Sequence, residues 1–120
     1  MNQLEAAQQV ILVTTNMPDV QSAQELARKL VECRLAACVN YFPGVQSVYR
    51  WQGAIEEASE VGLAIKSTQA QYPALEAAIK TMHPYDLPEI IAMPVVIGSP
   101  KYLDWVVQET GSKEKDDSDG

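Results

Sequence analysis

A run of period-two alternation constrains this chain more than any other feature. From Ile55 to Lys66, Ile55, Val61, Leu63 and Ile65 fall on one face, and Glu56, Ala58, Glu60, Gly62, Ala64 and Lys66 on the other. Trp51-Gln52-Gly53-Ala54 ahead of it has turn chemistry, and the stretch from Ala37 to Trp51 is extended in character. The two runs make one hairpin from Ala37 to Ser67. At about 3.3 Å per residue an arm of this length spans roughly 40 Å, more than a small domain can cover. Glu57 and Ser59 break the apolar row near the turn, so that end leaves its own core. An exposed strand pair needs cover from another chain. Assembly is therefore the first functional expectation.

Composition narrows the partners. One hundred and twenty residues, 47% of them hydrophobic, make one domain with a modest core. A formal charge of −7 speaks against nucleic acid, because phosphate binding needs a basic face. The longest apolar stretch, Ile90 to Ile97, contains Pro94 and is far short of a bilayer span, so no membrane insertion is expected. Met1-Asn2-Gln3-Leu4-Glu5 lacks the basic start of a signal peptide, and a cytoplasmic location is the expectation. Cys33 and Cys38 form neither a disulfide framework nor a standard zinc spacing, and both are expected as buried thiols.

Taken in order, residues 1–7 are polar and expected to be loose. Gln9 to Thr15 reads as a central strand, apolar on both faces. Pro18-Asp19 starts a helix in which Val20, Ala23, Ala27, Leu30 and Val31 recur at helical spacing. Within the first arm of the hairpin, Pro43-Gly44 marks a bulge or bend. Ser67-Thr68 is expected to cap a second helix, with Tyr72, Leu75, Ile79 and Met82 as its apolar stripe, and His83-Pro84 ends it. Glu89 to Ile97 reads as a fourth strand. Its Pro94 places that strand at an edge or a bulge. A short helix after Gly98-Ser99-Pro100 buries Tyr102, Leu103, Val106 and Val107. The acidic segment 111–120 has nothing apolar and is expected to be disordered, leaving 1–110 as the single domain. Right-handed crossovers turn this order into an α+β, ferredoxin-like βαββαβ sandwich with an extended hairpin and a C-terminal helix. Its second sheet face is expected to lack a helix of its own and to meet solvent or neighbouring subunits.

Four ordered blocks carry a family resemblance: Leu35-Ala36-Ala37-Cys38-Val39-Asn40; Tyr49-Arg50-Trp51-Gln52-Gly53-Ala54-Ile55-Glu56 with Glu60; Ile65-Lys66-Ser67; and His83-Pro84-Tyr85 with Pro88-Glu89-Ile90-Ile91. Together they resemble the CutA divalent-cation tolerance family over about Val10 to Thr110. The resemblance implies a compact homotrimer with interlocking hairpins, kinship in fold with the PII signalling proteins, and a role in divalent-metal response. Some family members are proposed to bind copper through a first-strand cysteine and a histidine pair. Here Thr14 or Thr15 stands on the strand, and Met82 replaces one histidine of the pair.

His83 is the only histidine. It either fixes its loop by hydrogen bonds or serves as a metal ligand. Glu56 and Glu60 are four apart on a strand and point the same way. With Trp51, Tyr85 and Glu89 they would line an inter-subunit cleft, suited to a small cationic ligand or a divalent metal, copper rather than zinc. No nucleophile elbow or Gly-rich phosphate loop is present, and the chain is expected not to be an enzyme. The expected function is a cytoplasmic, trimeric divalent-cation tolerance protein that binds metal weakly and acts in metal response or PII-like signalling. The alternatives are a trimeric scaffold for another protein, or a small enzyme using His83 as general base with Glu56, Glu60 or Glu89.

Overall fold

A computed structural model of the chain describes residues 3–112. Gln3–Ala7 forms a one-turn helix, α1, where the sequence suggests a loose segment. Its residues favour helix, and the Gln9 amide closes the turn by donating to the Ala6 carbonyl at 3.1 Å. Strand β1, Val10–Met17, follows. Helix α2, Val20–Glu32, is capped by Asp19, whose carboxylate accepts the Ser22 amide at 2.7 Å. Ala23, Leu26, Ala27 and Leu30 form its buried face, while Val20 and Val31, both expected inside, stay exposed at the flanks of that stripe. They sit too far round the helix from its centre at residues 26 and 27 to reach the core.

The hairpin is the longest element. β2, Cys38–Trp51, pairs antiparallel with β3, Ala54–Thr68, around Gln52 and Gly53, both with positive φ (50° and 84°). That pair of conformations is the twist-compatible two-residue hairpin turn. β3 runs on through Ser67 and Thr68, so these residues do not cap a helix by their side chains as expected. Ser67 is instead fully buried, and its hydroxyl donates to the Leu35 carbonyl at 2.6 Å. A 3-10 turn, Gln69–Gln71, leads into α3, Tyr72–Met82, with Leu75 and Ile79 fully buried. β4 is shorter than the expected 89–97 and spans only Ile91–Pro94 at the sheet edge. The Val95 amide still donates to the Val10 carbonyl at 3.0 Å, but β1 begins there, and Val96 and Ile97 are left exposed. α4, Pro100–Gln108, closes the fold.

The sheet order is β2-β3-β1-β4, with every neighbouring pair antiparallel, which is the ferredoxin-like arrangement. α2 and α3 cover one face, where Val13, Met17, Leu63 and Ile65 meet Leu26, Leu30, Leu75 and Ile79. The other face does carry a helix at one end, contrary to the sequence expectation. α4 sets Val106, flanked by Leu103 and Val107, against Val10 and Ala37. Arg34, at positive φ, fastens the end of α4 by donating from Nε to the Gly111 carbonyl and from Nη2 to the Gln108 carbonyl. The expected disordered tail lies, for its residues 113–120, outside the described residues.

Candidate functional site

The bulge in β2 decides what the arm presents. Phe42 pairs with Gly62, but the next pair is Val45 with Glu60, so β2 spends three steps where β3 spends two. Gly44, at φ 91°, absorbs the extra residue. Before the bulge the even-numbered residues Cys38, Asn40 and Phe42 share a face with Gly62, Ala64 and Lys66; beyond it the odd-numbered Val45, Ser47, Tyr49 and Trp51 share that face with Glu56, Ala58 and Glu60. One residue of slip thus carries two aromatic rings and a serine to the side of Glu60.

The loop after α3 meets this face from below. His83 is buried, and each of its ring nitrogens holds a backbone group: Nε2 lies 2.6 Å from the Asn16 carbonyl, and Nδ1 accepts the Tyr85 amide at 3.2 Å. A carbonyl can only accept and an amide can only donate, so the ring is the neutral tautomer with hydrogen on Nε2. His83 thereby ties the end of β1 to the start of the loop. Its ring also packs against that of Tyr85, with centroids 4.7 Å apart.

Tyr85 carries the connection onward. Its hydroxyl donates to Glu60 Oε2 at 3.2 Å, and the Ser47 hydroxyl donates to Glu60 Oε1 at 2.6 Å. Glu60, only 8% exposed, is thus a buried carboxylate with one donor on each oxygen. Burial, then the Glu60 charge and hydrogen bond, with smaller contributions from Tyr49 and Asp19, push the Tyr85 phenol above its ordinary pKa. The result is an open cleft of about 860 Å³ between the arm and the loop. Tyr49, Trp51 and Tyr85 supply aromatic surface; Glu60, Asp86 and Glu89 supply carboxylates; Arg50 is the one cation of the lining.

Of the residues singled out in the sequence, Trp51, Glu60, Tyr85 and Glu89 all line this cleft. Glu56 does not. It lies opposite Tyr49, further toward the tip of the arm, and is exposed. His83 stands behind the cleft and positions Tyr85. Sequence reasoning missed Ser47 and Asn16, which have no signature beyond small polar residues on strands. The alternation that put Ser47 on the side of Tyr49 and Trp51 was the one available signal.

Residues 11–109 match the family described as CutA1 divalent ion tolerance protein. The chain belongs to the CutA1 family. The divalent-cation tolerance protein CutA of Thermus thermophilus is 45% identical over 104 residues, 87% of this chain and 99% of the relative. Protein CutA of Mus musculus is 50% identical over 95 residues, 79% of this chain and 54% of the relative. The solved structure of the Thermus thermophilus divalent cation tolerance protein superposes with a TM-score of 0.84 at 44% identity, covering 85% of this chain and 99% of that one.

The family name directs attention to metal, and the donor set of one protomer can be tested against it. Among the described residues no group of three or more His, Cys, Asp and Glu could hold an ion. His83 would have to surrender Asn16 or Tyr85 to become a ligand. Thr15, on the first strand, has a buried hydroxyl without a partner, but a neutral hydroxyl is a poor ligand for copper. Met82 packs against the main core. A resident metal does not fit within this single CutA1 protomer.

Proposed function

We propose that the chain acts as a homotrimeric, cytoplasmic divalent-cation tolerance protein of the CutA type, whose arm lies on a neighbouring subunit. The observation that carries this reading is the arm itself. Beyond the bulge Val48 is 68% and Ile55 66% exposed, with Tyr49 and Trp51 half-exposed, on an element that makes one axis of the protomer 52 Å long. Such apolar surface on both faces of a strand pair calls for a second copy of the chain. The two free cysteines suit a reducing compartment.

The cleft under the arm is the proposed ligand site. Its carboxylates attract divalent cations, copper before zinc by the order of intrinsic affinities, and its aromatic walls accept a small organic cation equally well. With His83 and Glu60 already satisfied inside the protomer, uptake is weak and relies on the exposed carboxylates Asp86 and Glu89, joined by groups from the neighbour. Occupancy that moves the loop would give the trimer a PII-like signalling output. His83 has no free basic nitrogen, which disfavours the alternative of an enzyme using it as general base.

Native mass spectrometry of the purified protein, alone and with Cu(II) or Zn(II), tests both halves. A trimer that takes up metal weakly, with uptake reduced in Glu89→Gln, supports the reading. A monomer at micromolar concentration overturns the assembly, and a trimer without uptake overturns the metal role and leaves the scaffold alternative. A His83→Ala trimer that loses all uptake would show that the imidazole does turn to the metal.

A further inference from the structure

A second cluster lies on the sheet at the other end from the cleft. Cys38 and Lys66 are direct partners across β2 and β3. The Lys66 ammonium donates to the Cys38 sulfur at 3.9 Å and to Asn40 Oδ1. Contrary to the expectation of two buried thiols, Cys38 is only partly buried and Cys33 is exposed. Cys38 is therefore a reachable sulfur with an amine held beside it. Neither group belongs to the cleft.

We propose that Cys38 and Lys66 form a peroxide-driven covalent switch, a sulfenamide bond between the two side chains that staples β2 to β3. Cys38 loses its proton to solvent, and its sulfur attacks one oxygen of hydrogen peroxide or an alkyl hydroperoxide. The O–O bond breaks, and the departing hydroxide or alkoxide takes a proton from the Lys66 ammonium, leaving as water or alcohol. Sulfur has lost two electrons, the peroxide has gained them, and Cys38 is a sulfenic acid beside a neutral amine. The amine nitrogen then attacks sulfur, the S–O bond breaks, and the hydroxide takes the spare amine proton to leave as water. Sulfenic acids condense with nearby nitrogen in this way. A low-molecular-weight thiol attacks the sulfur, its proton going to the departing amine, and a second thiol resolves the mixed disulfide to return the Cys38 thiol.

The layout favours this product over deeper oxidation. Asn40 anchors the ammonium from the same strand as the sulfur. The amine thus reaches the sulfenic sulfur without a change of backbone, whereas a second peroxide must arrive from solvent.

The test uses the full chain carrying Cys33→Ser, which removes the other thiol and any disulfide of equal mass. After treatment with hydrogen peroxide, intact mass and peptide mapping are expected to show a protein lighter by two hydrogen atoms, with the Cys38 and Lys66 peptides linked, and dithiothreitol is expected to restore the mass. Lys66→Arg keeps the charge beside Asn40 but presents no amine; with it the link should vanish, and Cys38 should instead gain oxygen and be trapped by dimedone. A Cys33→Ser protein that gains only oxygen at Cys38, or stays unmodified at doses that oxidise the exposed Cys33 of the parent, overturns the proposal. So does a link that persists in Lys66→Arg.

Discussion

The hydroxyl of Tyr85 donates to Glu60 across the base of the cleft, joining a residue two positions past His83 to the point where the arm leaves the core. Folding raises the phenol's pKa, so the stability it contributes is complete below the ordinary tyrosine value of about 10 and is lost as pH rises through the folded value. Tyr85→Phe is expected to lower stability at neutral pH by about 0.5–1 kcal/mol after allowance for solvent screening. It should also flatten the alkaline loss. Urea unfolding at pH 7 and above pH 10 checks both, and an unchanged alkaline slope would sink the assignment.

His83 satisfies two backbone groups that no other side chain reaches in the described structure. His83→Ala is expected to destabilise the protein by about 2 kcal/mol through the unpaired Asn16 carbonyl and Tyr85 amide. Hydrogen exchange should speed up at Tyr85 while the α2 core keeps its protection. Uniform acceleration throughout would mean that the residue holds the whole domain rather than its loop.

Val48 and Ile55 lie on the arm face turned away from Tyr49 and Trp51, on the diagonal of neighbouring pairs. Val48→Asp combined with Ile55→Asp should leave the circular dichroism of the protomer intact while shifting sedimentation from trimer to smaller species. Retention of the wild-type sedimentation coefficient would place the assembly contacts elsewhere.

A methyl group on Gly62 would sit 2.5 Å from the Phe42 ring, which lies over that backbone. Phe42 is half-exposed and can swing aside, so Gly62→Ala is expected to cost only about 1 kcal/mol. Pairing it with Phe42→Ala should recover part of that loss. Additive losses measured by thermal unfolding would show that the clash is with the backbone instead.

Much of the fold was legible because its signals were local. The alternation from Ile55 to Lys66 and the Gln52-Gly53 turn each specify structure without help from distant residues, and the structure keeps both. The misreadings arose where distant packing decides. Ser67 looks like a helix cap, yet the Leu35 carbonyl claims its hydroxyl from 32 residues away. Val96 and Ile97 have strand composition, but the partner strand begins at Val10, which the Val95 amide already meets, so no partner backbone is left for them. Within the site, alternation grouped Glu56 with Glu60. The Ser47 hydroxyl and the arrival of Tyr85 from another part of the chain distinguish the buried carboxylate from the exposed one.

The three-against-two step at Gly44 also sets a rule for how such an arm can change through descent. A hairpin lengthened at its tip by whole pairs on both strands keeps Tyr49 and Trp51 turned toward Glu60, because their facing is counted outward from the bulge. Loss of one residue at the bulge would level the count at two steps against two, removing the bend while Val45 stays opposite Glu60 and the side chains from Val45 to Trp51 keep their face. Tolerated variation in arm length should therefore be matched on the two strands, and a natural chain with an unmatched residue on one of them should show a further bulge in the arm.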